Sequence, residues 1–428
     1  MPKQKVLLIS LYKCFPYPLD QGGAIAQYFF IDGLKHEVEF MICTQVNHPS
    51  EYENIRLFQE KQPDIKVFYV NRIQEHPKFK KNIVMFLSGL ERKAKKIIKS
   101  LIIGKKPVLN KIDTDNFSAE NFWKHTMIDS AFDAGLIELI HQVIVAEDIK
   151  TVQFDFYESL NLVFLIPANV RKIFVHHELR FKRLKLAYHQ SNMPPTYKDF
   201  IINKVESYEK FCLQKMDRVI VFNDDDAELL KHDCKDLVVS PFGIPDELIY
   251  KKNVCSVFSR FLFVGGESHL PNLLGLSWFL DEIFIPNLNR IDLPIYIVGN
   301  WSKEVINNYS VYSQIVFCGM VESIEPHFEN SIFLNPILTG SGIRTKILHA
   351  FANKVPVIST RFGAEGCFSE DEKYHLILFD TASEFIAEIH AFHNEHLRQV
   401  ALNGFSYYNK RFDKEELLKK RLDVYHRH

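Results

Sequence analysis

Short runs of Val, Ile, Leu and Phe recur along the chain, separated by segments whose apolar positions return every three or four residues. Runs this short, bounded by Gly, Pro and Asn, read as strands, and the periodic segments between them read as amphipathic helices. In the first half the runs are "KVLLIS", "VEFMICT", "KVFYV", "TVQFDF", "KIFVHH", "RVIVF" and "LVVSPF". A second series opens at Arg260 with "RFLFVGG" and continues with "PIYIVGN", "QIVFCG", "SIFLNP", "VPVIST" and "LILFD". Strands that are apolar throughout and alternate with helices predict α/β domains whose parallel sheets are covered on both faces. Two Rossmann-like domains follow, residues 1–240 and 260–411. The stretch 241–259 between them has proline and glycine and no sustained period, so it reads as a linker. A charged helix at about 412–428 is expected to pack back on the first domain.

A length of 428 residues agrees with two cores. The net charge of −1 excludes a generic nucleic-acid binder, so no nucleic-acid partner is expected. Seven cysteines without a CxxC pair indicate thiols in a reducing compartment and not a zinc site or disulfide framework. The start "MPKQKVLLIS" lacks the pattern of a signal peptide, and no apolar run reaches about 18 residues. A cytoplasmic protein is the expectation. One segment extends it: residues 77–111 carry eleven Lys or Arg against the single acidic Glu91, interleaved with Ile, Leu, Phe and Met. Such a basic amphipathic element predicts peripheral contact with an anionic membrane surface at its inner face, or with a lipid-linked acceptor.

Candidate chemistry lies at two helix starts. After the first strand, "LDQGGAIAQ" places Gly22 and Gly23 where backbone can approach a ligand and offer N–H groups to a phosphate. Neither GxGxxG nor GxxxxGK[ST] is present, which disfavours a nicotinamide enzyme and excludes a P-loop ATPase. In the second half, "GSGIRTKILHAFANKVPVIST" begins as a glycine-flanked loop at a strand's carboxyl end and becomes a helix. Ile343, Ile347, Ala350 and Phe351 share one face, with Lys346, His349 and Asn353 opposite. Arg344, Lys346 and His349 near the positive end of a helix make sense when an anion binds there.

These motifs, in this order, resemble those of the retaining GT-B glycosyltransferases of the glycosyltransferase family 4 group. The likeness is best over Arg260 to Phe368, through "FVGGESHLPNLLGLSWFLDEIF" and "VFCGMVESIEPHFENSIFLNPILTGSGIRTKILHAFANKVPVISTRFGAEG". In the first domain it rests on "DQGGAIAQ", "FVHHE" and "MDRVIVFNDDDAELL" running into "PFGI". The resemblance implies two domains facing across a cleft, with a nucleoside-diphosphate sugar held mainly by the second. A glycan, lipid-linked or protein acceptor is then held mainly by the first. It implies no cofactor and no metal, so Arg344 and Lys346 would neutralise the diphosphate, with Gly22 and Gly23 across the cleft. His176, at the end of "KIFV", would stand near the transferred sugar, ahead of His177 and Glu178. Gly265, Gly319, Val321, Gly340, Ser341, Gly342, Ile343, Thr345 and His349 complete the implied donor site.

The chain departs from the family in four places, one of them Ser341, where the first glutamate of the family's E-x7-E pair would fall, although members with a GSGI-type loop often lack it. His349 stands where a glutamate would grip both ribose hydroxyls, and one neutral imidazole cannot copy that bidentate acceptor. "GGESHLPN" stands where further Arg and Lys often occur, and Lys354 replaces a glycine just after the helix. The activity implied is sugar transfer to a hydroxyl with retention of configuration, in cell-surface polysaccharide, glycolipid or glycoprotein assembly. The departures keep two rivals open: a non-catalytic partner subunit or sugar-binding module, and a GT-B sugar-nucleotide epimerase.

Overall fold

The computed structural model describes residues 3–11, 15–73, 134–189, 193–250, 253–340, 342–368 and 374–426. The basic stretch 77–111 and Ser341 lie outside the described residues.

The apolar runs of the first half are β1 (Gln4–Ser10), β2 (Val38–Val46), β3 (Lys66–Asn71), β4 (Thr151–Asp155), β5 (Arg171–Val175), β6 (Arg218–Val221) and β7 (Leu237–Val239). They form one parallel sheet in the order β3-β2-β1-β4-β5-β6-β7. The second series gives β8 (Arg260–Val264), β9 (Ile295–Val298), β10 (Ile315–Gly319), β11 (Ser331–Asn335), β12 (Val357–Ser359) and β13 (Ile377–Leu378). Their parallel order is β10-β9-β8-β11-β12-β13. Every residue of β4, β6 and β11 is buried, as strands covered on both faces must be. Strand order reverses beside β1 and beside β8, and ligand crevices of open α/β sheets form outside the carboxyl ends at such points.

Side-chain direction alternates along β5 and decides what reaches the site. Ile173 and Val175 pack with the first helix (Gly22–Leu34), while Phe174 enters the core on the other face with Val152, Phe154 and Val205. The helix Thr345–Ala352 forms because Gly340 and Gly342, at φ +130° and +86°, turn the chain out of β11. It buries Ile347, Leu348, Ala350, Phe351 and Ala352. Lys354 follows it at φ +56°, the left-handed conformation a glycine would adopt with less strain.

The chain passes between the domains twice. The first passage runs from Ser240 to Arg260, with one short turn of 3-10 helix at Asp246–Leu248. The second follows the helix Asn394–Arg411, after which the last helix, Lys414–His426, lies on the first domain. Arg171 donates to the Tyr425 and Val424 carbonyls at 2.8 and 3.0 Å, and Arg218 to Val424 at 2.6 Å, so two cations close that helix's negative end. The passages are bonded to each other: Ile244 N–H donates to the Tyr408 hydroxyl at 2.7 Å and Lys414 to Asp246 at 2.7 Å.

Candidate active site

Two helix starts meet between the domains. The first helix begins at Gly22 after Gln21, and the second-domain helix at Thr345 after Arg344; neither cap residue makes a side-chain hydrogen bond to its helix. Their first-turn N–H groups therefore leave two positive ends without side-chain caps. A Cβ at Gly22 would lie 2.9 Å from Thr345 Oγ1, and one at Gly23 would lie 2.5 Å from the Phe156 ring. Glycine is needed at both because the opposing domain and the Phe156 ring come so near.

Arg344 and Lys346 flank this meeting point. The Arg344 side chain is 10% exposed, donates to Phe362 O at 2.9 Å and lies 3.3 Å from the mostly exposed Glu365 carboxylate. Its guanidinium carbon lies 5.0 Å from the Phe362 ring centroid. Lys346 reaches Asn272 Oδ1 at 2.9 Å and stands 5.8 Å over the Phe263 ring. Its ammonium has no carboxylate partner among the described residues, and burial pushes its pKa down to about 8. A Cβ at Gly265 would fall 2.8 Å from that ammonium, so glycine there leaves room for the cation.

The two histidines at the end of β5 point to opposite faces of the sheet. His176 continues the face of Phe174 into the core, is 1% exposed, and places Nε2 2.7 Å from Glu209 Oε1. The Glu209 carboxylate accepts the backbone N–H groups of Arg180 and Phe181, which ties the start of the next helix to it. His176 is thus corrected from a cleft residue to a core residue. His177 faces the cleft instead. Its Nε2 lies 2.8 Å from Asp155 Oδ1, its ring stacks on Phe156 at 3.9 Å, and its Nδ1 would lie 3.6 Å from a Cβ at Gly23. Its carbonyl oxygen would lie 3.6 Å from a Cβ at Gly342, so the second domain's glycine loop reaches the same residue. Phe156 holds a non-glycine φ of +69°, a costly conformation that recurs at functional sites.

His349 points away from open space. Its Nε2–H donates to Leu248 O at 3.0 Å, and its ring packs edge-on to Phe328 and beside Tyr250. Asn353 reinforces the contact, donating to Leu248 O at 2.9 Å and accepting from Tyr250 N–H at 2.7 Å. Only Nδ1 of His349 remains to offer a ligand. Gly319 (φ +72°) and Val321 lie at the carboxyl end of the edge strand β10, and Ile343, half-buried, packs on the core beside the Thr345 helix. Among the described residues, no three His, Cys, Asp or Glu side chains gather to hold a metal. Asp155, Phe156 and Asn272 join the site without being among the residues that the sequence motifs mark. Asp155 carries a faint signal as a polar residue at the strand end of "TVQFDF", and Asn272 as a polar residue in the helix start after "GGESHLP".

Two Rossmann-like domains with parallel sheets, closed on a cleft by opposing helix starts, are the GT-B architecture. Residues 259–395 match the family described as Glycosyl transferases group 1. The fold is similar to sucrose-phosphate synthase from Thermosynechococcus elongatus, with a TM-score of 0.64, 14% identity and 99% and 98% of the two chains covered. It is also similar to S. aureus TarM, solved with fondaparinux, alpha-GlcNAc-glycerol and UDP (TM-score 0.63, 11% identity, 99% and 100% covered). A third similar structure is Anabaena HepE with UDP and glucose (TM-score 0.61, 12% identity, 98% and 99% covered). In sequence, 168 residues are 27% identical to an "Uncharacterized 44.6 kDa protein in cps region" of Klebsiella pneumoniae, covering 36% of this chain and 43% of that protein.

Proposed function

We propose that the protein is a retaining glycosyltransferase that moves a sugar from a nucleoside diphosphate to an acceptor hydroxyl in cell-surface polysaccharide, glycolipid or glycoprotein assembly. The observation that carries the reading is the Lys346 ammonium, shielded from water, without a carboxylate partner among the described residues, beside Arg344 where two uncapped helix starts meet. That arrangement suits a diphosphate leaving group, whose growing charge needs fixed donors and cations in a dry site. No protein nucleophile is required: the departing phosphate oxygen takes the acceptor proton on the face that the new bond forms. His177, not His176, is the histidine beside the transferred sugar. UDP and sugar in the HepE and TarM structures make uridine donors the first to try. The "cps region" in the Klebsiella relative's name supports a polysaccharide acceptor. Residues 77–111 would bring that acceptor side to an anionic membrane surface, which sedimentation with anionic vesicles at low salt tests.

Calorimetric titration with nucleoside diphosphates, followed by chromatography after incubation with a panel of nucleotide sugars and acceptors, tests the activity. Arg344→Ala and Lys346→Ala are each expected to weaken diphosphate binding by roughly tenfold or more, the loss of one charge-assisted hydrogen bond. Wild-type affinity in both variants overturns the reading. His349 bonded to the linker carbonyl favours a second reading, a non-catalytic partner subunit whose ribose grip is lost. Nucleotide binding with neither transfer nor donor hydrolysis would select it, and an epimerised donor would select the epimerase.

A further inference from the structure

A chain of buried polar groups runs from the last helix to the cleft. Arg421 and Tyr425 are each 1% exposed, Gln153 4% and Asp155 2%. Arg421 bonds Ser240 through Nε at 3.0 Å and Nη2 at 3.2 Å, and places its guanidinium carbon 3.7 Å from the Phe30 ring centroid. The Tyr425 hydroxyl donates to Gln153 Oε1 at 2.7 Å. Gln153 Nε2 donates to Asp155 Oδ2 at 2.8 Å, and Asp155 Oδ1 lies 2.8 Å from His177 Nε2.

Each direction in this chain forces the next. A carboxylate only accepts, so Gln153 must turn its NH2 to Asp155 and its amide oxygen to Tyr425, whose hydroxyl then donates. The carboxylate accepts on both oxygens, which puts the ring proton of His177 on Nε2 and leaves Nδ1 a bare acceptor on the Gly23 side. A cavity of about 10 Å³, lined by Gln27, Gln153, Asp155, His177, Arg421 and Tyr425, has room for about one water beside the chain.

We propose that Tyr425 is a positioning residue for His177: through Gln153 and Asp155 it keeps the imidazole proton on Nε2 and presents Nδ1 as an acceptor for a sugar hydroxyl. This rests on reading the cleft as a sugar-transfer site. The tautomer itself does not, and it can be read without substrate.

Nitrogen-15 NMR of ring-labelled histidine distinguishes the tautomers, with His177→Gln assigning the resonance among the 18 histidines. The wild type is expected to show the Nε2–H form. Tyr425→Phe should loosen Gln153 and with it the Asp155 carboxylate, so that His177 shifts toward Nδ1–H as the partner of its Nε2 moves off, and should lower turnover roughly tenfold with donor KM little changed. Gln153→Met, close in size, should give the same shift and serves if the tyrosine variant does not fold. Phe40→Leu loosens packing on the Tyr425 ring, 5.9 Å away, without removing any hydrogen-bonding group of the relay, and should leave the tautomer alone. A wild type protonated on Nδ1, an unchanged tautomer in folded Tyr425→Phe, or an equal shift in Phe40→Leu overturns the proposal. If the wild type transfers no sugar from any donor, the transferase reading falls while the tautomer comparison still decides the relay.

Discussion

At the scale of single residues, two shielded bases titrate where they have consequences. Burial lowers Lys346 from 10.5 to about 8, so its charge is complete only below that pH. Nucleoside-diphosphate affinity is expected to fall as pH rises through 8 and somewhat beyond, since the bound anion raises the lysine's pKa. Calorimetry across that interval should show the fall in the wild type and a flatter profile in Lys346→Ala. His349 is lowered from 6.5 to about 4 by burial, against the opposing pull of the Leu248 carbonyl. Its folded pKa lies below the unfolded one, so stability held above 6.5 is lost as pH falls toward 4. His349→Gln keeps an N–H for Leu248 and cannot titrate. Thermal melts should show a shallower decline for it over that window. Neither histidine's direction was legible in the chain. The polar face of "IRTKILHAFAN" was plain, but the linker, a hundred residues earlier, decides what His349 meets. The run before His176 is apolar on both sides, so no polar alternation told which of the two histidines would turn to the core.

At the scale of elements the sequence was far more informative. The thirteen strands of the described residues coincide with apolar runs, and those buried on both faces, such as β4, β6 and β11, must be apolar throughout. Helix starts divide instructively. Asn223, Ser302 and Thr381 cap helices with their side chains, in the way that residue choice announces. Gly22 and Thr345 open helices without such caps, and these two face each other. The close approach that demands glycine there involves Phe156 and Thr345, distant in sequence, which hid it. Gly23→Ala would drive a methyl into the Phe156 ring on which His177 stacks. A loss of about 1–3 kcal/mol is expected, the usual cost of overpacking, with turnover reduced further than stability alone explains. Denaturant titration beside donor kinetics measures both.

For the whole molecule, opposed positive helix ends repel until an anion lies between them. Adding a nucleoside diphosphate should therefore hold the halves in the closed form, with Thr345 against Gly22, and so reduce the radius of gyration in small-angle scattering, and Lys346→Ala should respond less. How the halves can move follows from the two passages of chain, which run side by side and are stitched by Ile244 to Tyr408 and by Lys414 to Asp246. A single thread would let one half swivel and tilt in any direction. A doubled strap folds across its width and resists twist and sideways slip. The Thr345 helix start then travels toward Gly22 along one arc, and cargo carried by the second half arrives at His177 from a direction that the strap sets before any side chain touches it.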